Sequence, residues 1–431
     1  MVKQRQGGYE ISALSPQKRR DFMRFKSIVL CIIFLFLFAS CGVNETIDEA
    51  DIPVISEKDY FSADIIEKTE DMISFKKTVS FSQAYPNVDM IDLTNIKKPR
   101  EDAALIFVDN QGNIYFQAEN GEDDTSGALF SYNYSNDSWT TLIETDEDHN
   151  CCVICANERY MLWMKDENAN WLKTSLHLLD LNTKESVKIY DFSLDPETNL
   201  MYAWKFSTPV IIDDNVYFED IVGVDKNGLY DIRMYSYSIT DKKVTLLDKD
   251  AKWPMEFKGE AAWLRMSSDE KNSLFYSAKQ EKLLFKTETR LGTVFTADGD
   301  IIVANDYLPQ GVYDQLYSKS DLQTEYVDDT NDPRTACYGI KVYKNNKIAP
   351  VFVAINGNVT NAVTNGDLVG WLGSSVGKPL MYSLVKDVLI EFDQLEFKNI
   401  LSYNFRLSDN YAIITCGSGD NENYTYMWKI N

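Results

Sequence analysis

A four-strand phrase that returns along the chain constrains the fold more than any other feature of this sequence. Its first half is an apolar strand, a corner of Asp, Asn or Gly, and a second apolar strand rich in aromatics. The clearest copies are Ala104-Leu105-Ile106-Phe107-Val108, Asp109-Asn110-Gln111-Gly112-Asn113, Ile114-Tyr115-Phe116, and Pro209-Val210-Ile211-Ile212, Asp213-Asp214-Asn215, Val216-Tyr217-Phe218. β-branched and aromatic runs build strands, and Asn, Asp and Gly supply the positive φ of tight hairpins. Third and fourth strands follow, as at 129–134 and 139–143, 175–181 and 187–190, and 234–239 and 244–247. Beyond residue 70 no long stretch carries helical apolar spacing.

With the second strand as a ruler, the copies fall at Ile114, Met161, Val216, Trp263, Ile301, Val369 and Ala412, about 50 residues apart, close to the roughly 40–50 residues of a propeller blade. The expected fold is all-β, a β-propeller of seven four-stranded blades over residues 71–431. Six or eight blades, or a pair of β-sandwiches, are the alternatives. The last phrase, 401–405, 411–415 and 424–430, holds three strands before the chain ends at Asn431. The strand-like segment 72–81 is expected to supply its fourth and close the ring, which removes an exposed sheet edge.

Composition sets limits on partners. Hydrophobic residues make up 44% and aromatics 13%, enough apolar surface to exclude global disorder. A formal charge of −23 opposes nucleic acid, whose binding rests on Lys and Arg neutralising phosphates. Only two histidines, His149 and His177, are present, so no multi-His metal centre is expected.

The N-terminus carries an address. Lys18, Arg19, Arg20, Arg24 and Lys26 precede an unbroken apolar run from Ile28 to Phe38, the layout of an export signal. The run is about a dozen residues, shorter than the roughly 20 of a spanning helix. Phe38-Ala39-Ser40-Cys41 resembles the lipobox of bacterial lipoproteins, with Phe38 in place of the usual aliphatic residue. That resemblance implies a signal peptide over 1–40, lipid attachment at Cys41 and a place on the extracytoplasmic face of the cell membrane. An ordinary cleaved signal or an uncleaved anchor is the other reading, and Met23 offers a second start that gives a shorter signal. The segment 1–40 holds seven Lys and Arg against two Asp and Glu, so its removal takes the charge from −23 to about −28. Residues 41–70 read as an acidic tether.

Besides Cys31 in the apolar run and Cys41, five cysteines remain: Cys151, Cys152, Cys155, Cys337 and Cys416. The cluster at 149–155 invites a zinc reading, yet a strand sends Cys151 and Cys152 to opposite faces and no second Cys/His pair completes four ligands. They are expected to be small packed hydrophobes.

The phrases Leu178-Leu179-Asp180-Leu181-Asn182-Thr183-Lys184 and Asp109-Asn110-Gln111-Gly112-Asn113-Ile114-Tyr115-Phe116 resemble blades of TolB-like propellers and of propeller domains carried by lipoproteins of Gram-positive, clostridial-type bacteria. The resemblance implies the fold, the lipid anchor and a general binding role, and brings no catalytic residue.

Catalytic signatures are missing. No Gly-x-Ser-x-Gly elbow and no His-Glu-x-x-His occurs. The tract 373–378 has the wrong spacing for a phosphate loop, and 225–228 and 328–332 lack the alternation of a Ca²⁺ loop. No catalytic residue, metal or cofactor is therefore assigned. Turns between third and fourth strands are short, whereas the opposite end collects 119–127, 165–171, 191–207, 248–254 and 305–336. These carry Trp171, Tyr202, Trp204, Trp253, Tyr307, Tyr313 and Tyr317 among many carboxylates, the candidate anchors for an extracellular protein or glycan. Packing of their own loops is the plainer role for any one of them. The expectation is a monomeric, lipid-anchored binding module; a carboxylate-dependent glycosidase or lyase, or an accessory lipoprotein of an envelope complex, is the alternative.

Overall fold

The computed structural model describes residues 64–65 and residues 77–431 other than 119–126, 147–148, 168–172, 202–208, 225–227, 229, 250, 267–272, 278–281, 287–294, 299–300, 308–336, 345–346, 356–359, 373–378, 394, 396–399 and 419–422. The expected signal, Cys41 and most of the tether lie outside these residues. Among the described residues no helix is long and apolar enough to cross a membrane.

Three short strands and one helical turn come first: β1 (Asp64–Ile65), β2 (Lys77–Ser80), α1 (Phe81–Ala84) and β3 (Met90–Asp92). The first sheet follows, with β4 (Ala104–Val108), β5 (Asn113–Ala118), β6 (Ala128–Asn133) and β7 (Ser138–Glu144) in that order. The second holds β8 (Asn150–Ala156), β9 (Tyr160–Asp166), β10 (Thr174–Asp180) and β11 (Ser186–Asp191), and the third β12 (Val210–Ile212), β13 (Asn215–Val224), β14 (Tyr230–Ser238) and β15 (Lys243–Lys249). The fourth is β16 (Ala251–Phe257), β17 (Glu260–Met266), β18 (Ser273–Ser277) and β19 (Lys282–Lys286). The fifth is β20 (Phe295–Asp298), β21 (Ile301–Tyr307), β22 (Cys337–Lys344) and β23 (Lys347–Ile355), with β1 on its edge. The sixth is β24 (Thr360–Thr364), β25 (Leu368–Leu372), β26 (Pro379–Ser383) and β27 (Val388–Glu391), with β2 on its edge. The seventh joins β28 (Ile400–Leu407), β29 (Tyr411–Ser418) and β30 (Asn423–Lys429) to β3.

Each ruler residue of the sequence lies in the second strand of its sheet, from Ile114 in β5 to Ala412 in β29. The first strands touch in succession, β4 to β8, β12, β16, β20, β24, β28 and back to β4. They form the inner ring of a β-propeller.

Period-2 alternation makes the sheets stack. In β5, Tyr115 joins a buried cluster with Cys151, Met161 and Trp163 of the second sheet, while its neighbours Ile114 and Phe116 pack with Ile413 and Met427 of the last. One strand thus fills two interfaces, and the second of these joins the two ends of the chain. Between the second and third sheets, Leu162 and Leu178 meet Val216 and Phe218.

The turns between third and fourth strands are short, as the sequence implies. Asp137, Lys184, Lys242 and Asp387 each take a positive φ there, between 50° and 63°. In two of them the turn aspartate accepts a hydrogen bond from the tyrosine five residues earlier, Tyr132 to Asp137 at 2.9 Å and Tyr382 to Asp387.

Ring closure differs from the expectation for 72–81. β2 runs parallel to β27 on the edge of the sixth sheet, and the last sheet is completed by β3, antiparallel to β30 with Met90 opposite Trp428. The reason is local. Ser80 and Gln83 form a reciprocal capping box that turns the chain into α1 and ends the strand before Phe81. Phe81 is fully buried and stacks on Phe392, just past β27 of the sixth sheet, and against Trp428 of the seventh. Ser82 adds a 2.6 Å hydrogen bond to Asp393. The N-terminal segment therefore edges the fifth and sixth sheets before it closes the seventh.

Candidate ligand-binding surface

The ring has one end made of tight turns and one where second strands hand over to third and fourth strands to the next sheet. At this second end the third sheet carries buried acids inside its strands. Glu219 and Asp220 are consecutive in β13, so their side chains leave on opposite faces. Asp220, fully buried, accepts hydrogen bonds from Tyr190 Oη and from the Ser193 backbone, both at 2.9 Å, on the side of the second sheet. Glu219 accepts the Trp253 N–H at 2.7 Å on the side of the fourth. Asp248 at the end of β15 joins the same side: Trp263 Nε1 donates to it at 2.6 Å and Arg265 pairs with it at 3.3 Å. These carboxylates hold three sheets together. Burial, and then the charge of Asp220, push the Tyr190 hydroxyl well above its usual pKa, which keeps it a donor.

Trp253 is the residue of this region whose backbone is out of the ordinary. It lies in β16 with φ +56°, a conformation that bulky side chains rarely adopt. The register of β16 against β17 slips between Lys252 and Met255, so Trp253 and Pro254 form a β-bulge. Proline is accepted there because the ladder is already broken. The bond to Glu219 fixes the strained peptide, and Lys252 Nζ lies 4.0 Å from the centre of the half-buried indole. A bulge on an inner strand re-aims the side chain it carries. On the same end, β13 and β14 project as the longest hairpin of the third sheet, and its last pair, Val224 and Tyr230, is about half exposed.

A second polar group lies at this end of the second sheet. Asp146 pairs with His149 Nδ1, and His149 Nε2 is 3.6 Å from Glu167. Ser175 Oγ donates to Glu167 at 3.2 Å and lies 2.9 Å from His177 Nε2. Both histidines of the chain thus belong to one network, which runs from exposed Asp146 to His177 stacked on Trp163. Burial, and then Lys188, push the His177 imidazole down to about 4. Ser175 is fully buried, which withholds its hydroxyl from any outside substrate. Among the described residues no three His, Cys, Asp or Glu side chains form a group that could hold a metal ion.

Of the expected anchors, Trp253 is placed as described. Trp171, Tyr202, Trp204, Tyr313 and Tyr317 fall outside the described residues, and Tyr307 is the last residue of β21, its backbone opposite Tyr338. The segment 248–254, read from sequence as a loop, is two strands: β15 runs to Lys249 and β16 begins at Ala251. Pro254 concealed this, since its missing N–H argues against a strand unless a bulge accepts it. The carboxylates of the third sheet were missed as well. Their signal was present in Phe218-Glu219-Asp220-Ile221, two acids inside a strand-like run.

No protein-family model matches this chain, and no curated protein matches its sequence. Solved structures do. The β-propeller domain of the Trilobed protease from Pyrococcus furiosus, described as having an open velcro topology, matches with a TM-score of 0.50 at 9% identity, over 77% of this chain and 94% of that one. A post-proline cleaving enzyme from Rickettsia typhi matches with a TM-score of 0.51 at 12% identity, over 78% of this chain and 52% of the enzyme. TolB from Acinetobacter baumannii matches at 0.34 and 11% identity, over 74% of this chain and 64% of that one. The chain spans about half the length of the peptidases it matches. At such identities the likeness is one of fold: the protein is a β-propeller.

Proposed function

We propose that this protein is a lipid-anchored, extracytoplasmic β-propeller, read as seven blades from the seven sheets among its described residues, that binds a protein or glycan partner at the end bearing Trp253 and performs no chemistry on it. The observation that carries the reading is Trp253 itself. A bulky aromatic is held at φ +56° in a bulge, its N–H fixed by Glu219 and its ring under Lys252. Strain of this kind persists where the surroundings over-determine it, and it clusters at ligand clamps. An indole beside a cation is an anchor for sugars or for protein surfaces. The buried acids Glu219, Asp220 and Asp248 are engaged between sheets, which favours a binding surface over a glycosidase built on a converging pair of acids. The anchor rests on the lipobox-like residues ending at Cys41.

The test is a glycan and peptide array probed with the purified full chain and with Trp253→Ala. Saturable binding that falls about tenfold or more in the variant is the expected result. Binding unchanged by the substitution removes Trp253 from the site, and turnover of an oligosaccharide replaces the reading by the glycosidase or lyase alternative. Intact mass of the chain expressed in a bacterium, with and without globomycin, tests the anchor separately: a diacylglyceryl-modified product beginning at Cys41 is expected, and an unmodified chain refutes it.

A further inference from the structure

β8 breaks its own alternation once, and the break gathers sulfur. Cys151 and Val153 pack toward the first sheet, with Met161 and Trp163 of β9. Cys152 leaves on the other face, opposite Met164. Strict alternation would return Cys155 to the face of Cys151 and Val153. The register instead slips between Val153 and Cys155, so that Cys155 stands opposite Leu162. Leu162, Met164, Ile154 and Cys155 all line the core shared with the third sheet, and Cys155 Sγ lies 3.2 Å from the Pro209 carbonyl, just before β12. The bulge has placed two thiols and one thioether along one face of β8 and β9. Met164 is directly across from Cys152, and Leu162, between Met164 and the turn, is directly across from Cys155.

The other described thiols, Cys151 and Cys416, are buried in apolar clusters, whereas Cys152 and Cys155 are only partly covered, and neither is in a disulfide. β8 is an inner strand, in contact with the inner strands β4 and β12, so both thiols belong to the inner ring. Zinc requires a fourth ligand that the described residues do not offer. A soft monovalent ion requires fewer: thiolate and thioether sulfur select copper(I) by softness, where oxygen and imidazole sites do not.

We propose that Cys152, Cys155 and Met164 form a binding site for one soft monovalent cation of the copper(I) or silver(I) type. Two thiols each release a proton to solvent as two metal–sulfur bonds form, and the Met164 thioether adds as a neutral third donor; no electron is transferred. The site carries one net negative charge when filled. Because two protons leave as the ion binds, uptake strengthens as pH rises.

The test is an anaerobic titration of the purified full chain with copper(I), in competition with the chromophoric chelator bicinchoninate. One copper(I) withdrawn from the chelator per chain is expected, with affinity about 10- to 100-fold lower in Cys152→Ser and in Cys155→Ser. A smaller loss is expected in Met164→Leu, and none in Cys416→Ala, whose thiol belongs to another sheet. Circular dichroism of each variant separates a lost ligand from a lost fold. Copper(I) that stays with the chelator, or that is withdrawn equally by a folded Cys152→Ser/Cys155→Ser variant, overturns the proposal.

Discussion

The ring of Phe405 occupies the space that a side chain at Gly370 would need. A Cβ on Gly370 in β25 would stand 1.9 Å from Cε1 of Phe405 in β28 and 2.5 Å from Cδ1. Phe405 is fully buried and packs on Phe392 at a ring separation of 5.9 Å, so it has no open side to retreat into. Glycine is required here by the approach of two sheets, while its φ is ordinary. Gly370→Ala is therefore expected to lower stability by about 1–3 kcal/mol through overpacking. Urea unfolding measures it, and Phe405→Leu in the same chain should recover part of the loss. Equal stability of Gly370→Ala and the parent would show that the sixth and seventh sheets yield without cost.

Asp220 makes a second interface depend on one side chain. Its hydrogen bonds from Tyr190 and Ser193 tie the third sheet to the second, and they are bonds to a buried charge. Asp220→Ala leaves buried donors behind and is expected to cost about 1–3 kcal/mol, whereas Asp220→Asn, which keeps one acceptor oxygen, should cost less. Denaturant midpoints of the two variants decide it. Midpoints equal to that of the parent would mean that the interface rests on the packing of Tyr190 and Phe192 against Phe218 and Tyr235.

The repeat was legible because strand alternation and turn chemistry are local. Every ruler residue from Ile114 to Ala412 lies where the spacing puts it, and the turns at Asp137 and Lys184 follow from short-range hydrogen bonds and positive φ. Ring closure was not legible in the same way. The segments 77–80 and 90–92 are both short and strand-like, and which of them pairs with β30 is decided by a long-range contact, the burial of Phe81 between Phe392 and Trp428. The capping box Ser80-x-x-Gln83 was the one local hint. Trp253 was legible as an aromatic between acids, but its bulge and its bond to Glu219 depend on which strands become neighbours.

His177 gives the fold an acid-sensitive element. Its folded pKa of about 4 lies below its ordinary 6.5, with Lys188, Lys165, Glu167 and Asp191 as the charged groups that act on it. Between these values the unfolded chain binds more protons than the folded one, so the neutral imidazole contributes stability that is complete above pH 6.5. That contribution, at most about 3 kcal/mol, is lost as pH falls from 6.5 toward 4. Thermal unfolding of the parent and of His177→Gln across this window should converge as the pH drops. Curves that stay parallel would assign the acid response to other groups.

Trp253 separates strain from side-chain chemistry. At φ +56° glycine is unstrained and alanine is not, so Trp253→Gly and Trp253→Ala remove the same indole and leave different backbones. If the bulge is held against its own preference, the glycine variant is expected to be more stable than the alanine variant by about 1 kcal/mol, although glycine elsewhere in a strand is the weaker residue. Both should lose ligand binding to the same extent, since both lack the ring beside Lys252. Glu219→Gln retains an acceptor oxygen for the Trp253 N–H and should bind nearly as the parent does, whereas Glu219→Ala releases the bulge and should bind as poorly as the Trp253 variants. A glycine variant less stable than the alanine one would mean that the bulge relaxes freely, and the strained clamp would be the wrong account of why a tryptophan stands there.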